Sequence, residues 1–172
     1  MDRQPQSTDD MRRLAALIDE TTIAMLTTVQ PDGSLRSRPL ATREFDSEGN
    51  LWFFTSMSSP KVREIEEHAQ VNLSYANPKE ADYISVSGTA SVVRDRERMQ
   101  RLWSTWVKPW FPQGLDDPDL VLLKVSIESA EYWDSPGSSV VQLLGLARAM
   151  VTGSPDAVGE HAKLGAPRQP HA

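Results

Sequence analysis

The 172-residue sequence has no cysteine. That excludes disulfides, thiolate nucleophiles and zinc–cysteine centres together, and it is compatible with a reducing cytoplasm, the expected location. Long apolar runs are missing too. The longest, Val121–Leu123 and Ser139–Leu146, fall far short of the ~20 residues that a membrane-spanning helix needs. The opening MDRQPQSTDDM is polar, unlike a secretory signal. Positive charge is scarce: 18 Lys and Arg face 24 Asp and Glu, a formal net charge of -6. Such a chain is a poor general binder of nucleic acid, where affinity comes from neutralising phosphates. The three histidines, His68, His161 and His171, show no ligand spacing, so no metal site is expected. There is no Gly-rich P-loop, dinucleotide fingerprint or G-x-S-x-G elbow. No catalytic acid, base or nucleophile can be named, which points to chemistry carried by a bound cofactor.

What is present is globular. Hydrophobic residues make up 39% and charged residues 24%, enough for one domain with its own core. Residues 1–8 read as a flexible arm, 9–152 as the domain, and 153–172, rich in Gly and Pro without periodicity, as a largely disordered tail. Thr8 can cap a helix in which Met11, Leu14, Ala15, Leu17 and Ile18 recur at helical spacing. Ile23–Val29 and Leu35–Phe45 read as strands joined by the turn Gln30-Pro31-Asp32-Gly33. Ser47-Glu48-Gly49-Asn50 turns again into the strand Leu51–Thr55. Ser59-Pro60 starts a short helix, Lys61–Glu67. Strands follow at Val71–Ala76 and Tyr83–Val93, the latter with Gly88 marking a bulge. Asp95 caps a helix to about Trp106, Leu120–Tyr132 alternates as a strand, and Val140–Met150 reads as helical. Close-set strands without a crossover helix after each favour a mainly β fold, a closed antiparallel barrel with a few α-helices.

Two local anomalies stand out. Arg36, Arg38 and Arg43 fall within Leu35–Arg43, a segment free of acids on an acidic chain. Period-two geometry puts Arg36 and Arg38 on one face, and Pro39 marks an edge or a distortion. After LWFFT comes a hydroxyl run, Thr55, Ser56, Ser58 and Ser59, and then Lys61 in the first turn of a helix. A cation is disfavoured there by the helix dipole unless an anion lies between. A solvated strand face and an ordinary Ser-Pro cap are the plain alternatives. Trp133, at the end of a strand, can fill core or interface, or pack on a planar ring.

The order R-S-R-P-L, L-W-F-F-T-S-x-x-S-x-K, a Gly-containing strand and E-Y-W resembles the pyridoxamine 5′-phosphate oxidase-like flavin split barrels. The strings KPWFPQGLDDPDLVLLKV, EYWDSPGS and LLGLARAMVTG look most like their general stress protein branch. The likeness runs from about Met11 to Gly153. It implies a six-stranded antiparallel split barrel of the FMN-binding type, paired as a homodimer with the flavin in a groove between subunits. By the family pattern, Arg38, Pro39 and Leu40 run beside the flavin ring, mainly through backbone, with Arg36 and Ser37 close by. Phe54 and Thr55 line the ribityl chain. Thr55, Ser56 and Lys61 take the phosphate. Trp133 matches a tryptophan supplied by the partner subunit, and Tyr83 matches a position that contacts the flavin. The oxidases carry an arginine where Pro60 stands, and an R-x-H element where Asp134-Ser135-Pro136-Gly137-Ser138 follows here. Loss of that element argues against vitamin processing.

The implied function is that of an FMN-binding, stress-related flavoprotein, an oxidoreductase without the pyridoxal-phosphate grip, acting on a small redox partner. A flavin-buffering protein with little turnover is the alternative. FAD also fits if the groove continues past the phosphate. A deazaflavin or haem is a third option on the same barrel, haem requiring His68 as ligand.

Overall fold

The computed structural model describes residues 4–133 and 141–144. Along them run α1 (Gln4–Thr21), β1 (Ile23–Val29), β2 (Leu35–Phe45), β3 (Asn50–Ser56), α2 (Pro60–Glu67), β4 (Gln70–Asn77), β5 (Asp82–Val93), α3 (Arg96–Leu102), β6 (Leu120–Trp133) and β7 (Val141–Leu144). The sheet order is β3-β2-β1-β4-β5-β6-β7. β3 also pairs with β6, from Asn50↔Ser126 to Ser56↔Leu120. That pairing closes six antiparallel strands into the expected barrel. β7 lies further along the same edge of β6, from Ser129↔Leu144 to Tyr132↔Val141.

Alternation of side chains builds the interior. β1 turns Ala24, Leu26 and Thr28 inward. Phe53, Leu73, Tyr75, Val86, Leu123 and Val125 meet them inside the barrel. α1 adds Leu14, Leu17 and Ile18, and α2 adds Ile65. The opposite faces of β3 and β6 are buried as well. Trp52, Leu120 and Leu122 pack there with Met99 of α3 and with Val107 and Phe111 of the following segment. The stretch Leu120–Leu123 is therefore buried on both faces, which explains an apolar run without clean alternation.

Three element boundaries differ from the sequence reading. The first helix starts at Gln4, so Thr8 lies inside it instead of capping it. Pro5 falls in its first turn, where the missing N–H costs nothing. The helix after Asp95 ends at Leu102, not Trp106. Asp95 does cap it, accepting from the Arg98 N–H at 2.9 Å, but Trp103 is extended. Val141–Leu144 is a strand, not helix, because β6 offers it a free edge. A short apolar run is ambiguous by periodicity alone. The rest of Val140–Met150 and the tail lie outside the described residues.

The barrel is split on one side. β2 pairs with β1 from Leu35 to Ala41 but meets β3 only at Thr42, Glu44 and Phe45, with a register shift at Arg43. Among the described residues, the second edge of β2 has no strand neighbour between Leu35 and Ala41. Pro39 is tolerated on such an edge.

Gly88 sits at the second register shift, between Ser87 and Gly88 opposite β6. A Cβ there would overlap the Ser126 carbonyl oxygen, which is backbone and cannot swing away. Gly88→Ala is expected to cost about 2–4 kcal/mol, read by thermal or urea unfolding. A variant as stable as the parent would show that the two strands relax apart freely.

Candidate functional site

A groove of about 710 Å³ opens along the split. The free edge of β2 forms one wall with Pro39, Leu40 and Ala41. Phe54, Thr55 and Ser56 of β3 form the other, with Lys61 of α2 at one end and Thr22, Ile23 and Arg43 elsewhere on the rim. Trp106, Val107, Trp110 and Phe111 complete the lining. Their segment is held by successive tight turns, Val107 N–H to Ser104 O, Trp110 N–H to Val107 O and Gly114 N–H to Phe111 O. Val107 and Phe111 anchor it in the outer core, which leaves Trp106 and Trp110 at 79% and 72% exposure over the groove.

The hydroxyl end is built by the junction of β3 and α2. Ser59 is the N-cap residue and Pro60 follows it, yet the Ser59 side chain makes no cap bond. Its Oγ instead accepts from Lys61 Nζ at 3.2 Å, and Thr55 Oγ1 accepts from the same ammonium at 3.1 Å. Burial pushes the Lys61 ammonium below the usual lysine value, the charge of Arg38 adds to that, Glu64 opposes it and Arg36 lowers it further. The partners of this half-buried cation are neutral hydroxyls. An anion accepting from the ammonium and the hydroxyls would relieve that cost.

The side chain of Arg38 is taken up by Glu64. Its Nη1 and Nη2 both donate to Glu64 Oε2 at 2.8 Å, and Thr28 Oγ1 donates to the same oxygen at 2.6 Å. Burial pushes the Glu64 carboxyl up, but the hydrogen bonds from Thr28 and Arg38 and the charges of Arg38 and Arg36 outweigh it and hold the group below the usual carboxylate range. Glu64 is 5% exposed. It was not singled out in the sequence, although it lies three residues after Lys61, on the same helical face. Arg43, at the register shift, donates from Nη2 to Ser104 Oγ at 2.9 Å and to the Leu102 carbonyl, while its buried Nε faces no acceptor.

Of the residues expected around the cofactor, Pro39, Leu40, Phe54, Thr55, Ser56 and Lys61 line the groove together. Arg36 is near enough for its charge to act on Lys61. Ser37 lies on the outer surface, hydrogen-bonded to Thr27 at 2.7 Å. Tyr83 and Trp133 are cross-strand partners on β5 and β6 and do not line this chain's own groove. Trp106 and Val107 of the lining carried no signal in the sequence.

The chain matches the family model described as "Pyridoxamine 5'-phosphate oxidase like" over residues 9–156. It is 29% identical over 157 residues to Protein bli-3 of Neurospora crassa, covering 86% of this chain and 75% of that protein. It is 27% identical over 139 residues to General stress protein 26 of Bacillus subtilis, covering 78% and 96%. Among solved structures, the general stress FMN/FAD binding protein of Xanthomonas citri superposes with a TM-score of 0.66 at 25% identity, covering 78% and 94%.

Glu64→Ala would leave Arg38, 16% exposed, without its counter-charge. The expected loss is about 3–5 kcal/mol, and Glu64→Gln should lose less because it still accepts from Thr28. The folded carboxyl sits below its ordinary value near 4.5. Its contribution is therefore complete above that value and disappears as pH falls through the lower folded one. Urea unfolding across that range should show a shallower acid decline in Glu64→Gln than in the parent. Parallel curves would contradict the assignment.

Proposed function

The chain belongs to the pyridoxamine 5′-phosphate oxidase-like family, and from that premise we propose that its groove binds FMN, with the phosphate on Lys61, Thr55 and Ser56. The observation that carries this reading is the pairing of a free backbone edge with a half-buried lysine whose partners are neutral hydroxyls. The unpaired edge at Arg38, Pro39 and Leu40 offers backbone donors and acceptors to the rim of a planar ring, and Phe54 and Thr55 flank the chain that leads to the phosphate. A flavin is named in the description of the Xanthomonas citri relative, which supports the choice of cofactor. The monoester is preferred to FAD because hydroxyls, ammonium and helix start converge on one anion.

The reading includes a homodimer. The outer face around the split carries Ile23 and Met25, 50% and 42% exposed, and Tyr83 at 44%. The cross-strand neighbours of Ile23 and Met25 are Ala41, Pro39 and Ser74, none of them charged. Trp133 pairs with Tyr83 and shares its face. Ile23 also lines the groove. A second subunit on this face would cover exposed apolar surface and bring its own Trp133 and Tyr83 to the flavin.

Bound flavin would supply hydride or electron transfer, making the protein a stress-related oxidoreductase of the cytoplasm. The chain's own residues bind, orient and shield. One observation favours a second reading, a flavin-binding protein with little turnover: among the lining residues only Arg43 and Lys61 are charged, so no general acid or base faces the ring. Bleaching of the FMN-loaded protein by NADPH, with recovery on adding an acceptor, decides for the enzyme. Mass spectrometry of the molecule released from native protein identifies the cofactor.

Lys61→Ala is expected to weaken FMN by roughly 10- to 100-fold, the loss of a charge-assisted bond, and to leave riboflavin unaffected. The ammonium starts below its ordinary 10.5 and is raised by a bound dianion. FMN affinity should therefore be full below the ligand-free value and decline as pH rises through the bound one. Titration of both flavins against pH tests this; equal loss of both flavins would remove the phosphate from Lys61. Met25→Glu is expected to give monomers with weakened FMN binding by sedimentation. Monomers that bind FMN at full strength would sink the shared groove.

A further inference from the structure

The run Thr55-Ser56-Met57-Ser58-Ser59 carries four hydroxyls, and the structure divides them. Asp119, just before β6, holds the middle of the run. Its carbonyl accepts from the Met57 N–H at 2.7 Å. Its Oδ1 accepts from the Ser58 N–H at 2.8 Å and its Oδ2 from Ser58 Oγ at 2.7 Å. The Ser56 hydroxyl adds to the pull that keeps this carboxylate ionised. The carboxylate is itself fixed from behind. The Asp119 N–H donates to Asp117 Oδ1 at 3.0 Å, and Arg94 donates from both Nη atoms to the Pro118 carbonyl. These bonds span sixty residues of sequence, between the end of β3 and the start of β6. They leave Thr55 and Ser59 turned to Lys61 and commit Ser58 elsewhere.

We propose that Asp119 is a positioning residue of the phosphate site, which takes the Ser58 N–H and hydroxyl out of the donor set and sets the turn so that Thr55, Ser59 and Lys61 converge on the anion. This rests on the flavin reading of the groove. The physical argument is one of competition. The Ser58 N–H and hydroxyl form a donor pair that suits any oxyanion, and the built-in carboxylate occupies it at an effective concentration no free ligand matches. The ligand's phosphate is thereby directed to the neighbouring donors beside the ammonium. The hydrogen bonds from Ser58, the neighbouring Ser56 hydroxyl and the charge of Arg94 keep the Asp119 carboxyl below its usual range.

The test compares FMN with riboflavin, which differ only in the phosphate. Dissociation constants of both are measured for the full-length parent, Asp119→Ala, Asp119→Asn, Ser58→Ala and the double variant Asp119→Ala/Ser58→Ala, with thermal unfolding of each. Asp119→Ala is expected to weaken FMN by about 10-fold, of the order of one or two charge-assisted hydrogen bonds, and to leave riboflavin within error. Asp119→Asn, which still accepts from the Ser58 N–H, should recover most of the loss. Ser58→Ala should add little to Asp119→Ala, because the two act as one unit. Equal weakening of FMN and riboflavin in Asp119→Ala, or unchanged FMN binding, overturns the proposal. A parent protein with no preference for FMN over riboflavin overturns the phosphate site itself. The two failures are thereby distinguishable.

Discussion

The structure turns on the early parting of β2 from β3. β2 keeps β1 as its partner along Leu35–Ala41 but meets β3 only beyond the register shift at Arg43. β3 instead spends its whole length against β6. The barrel closes through that second pairing, so the gap between β2 and β3 costs no closure. What it leaves is a stretch of backbone whose hydrogen-bonding groups lack a strand neighbour, an arrangement proteins normally cover. Here the cover is a groove, walled by the end of β3, the start of α2 and an aromatic segment pinned by Val107 and Phe111.

Electrostatics follow from the same opening. Arg36 and Arg38 of β2 lie near enough to the lysine of α2 for their charges to act on it, and such a cluster repels itself. Glu64 balances part of it from inside, gripping Arg38 through a single oxygen that Thr28 also contacts. Among the described residues, the hydrogen-bond partners of Lys61 are hydroxyls. A net charge of -6 on the whole chain therefore coexists with a groove whose lining, among the described residues, holds Arg43 and Lys61 and no acid. Asp119 keeps the turn between them in shape from the far side.

Much of the fold was legible in the residues. Turn chemistry at Pro31-Asp32-Gly33 and Ser47–Asn50, period-two alternation and Gly88 placed most strands within a residue or two. These are local signals, set by the chain's own φ, ψ and side-chain alternation. The departures came where local signals were weak. Gln4–Thr8 lacks apolar periodicity but is compatible with helix. Trp103 packs against the outer core in an extended conformation, and the helix ends before it. Val141–Leu144 reads equally as helix or strand until an open edge on β6 decides it.

The sequence by itself determined the chemistry on offer: no thiol, a hydroxyl run ending in Lys61, and an acid-free arginine segment with Pro39. Residue type and spacing along one element suffice for that, because neighbours in sequence are neighbours in space. Only the tertiary structure decided which groups meet. It turned Arg38 onto Glu64, set Asp119 against Ser58 sixty residues away, hung Trp106 and Trp110 over the groove, and put Trp133 beyond the reach of its own chain's groove. Each is a contact between distant segments, fixed by where the barrel closes and where it stays open.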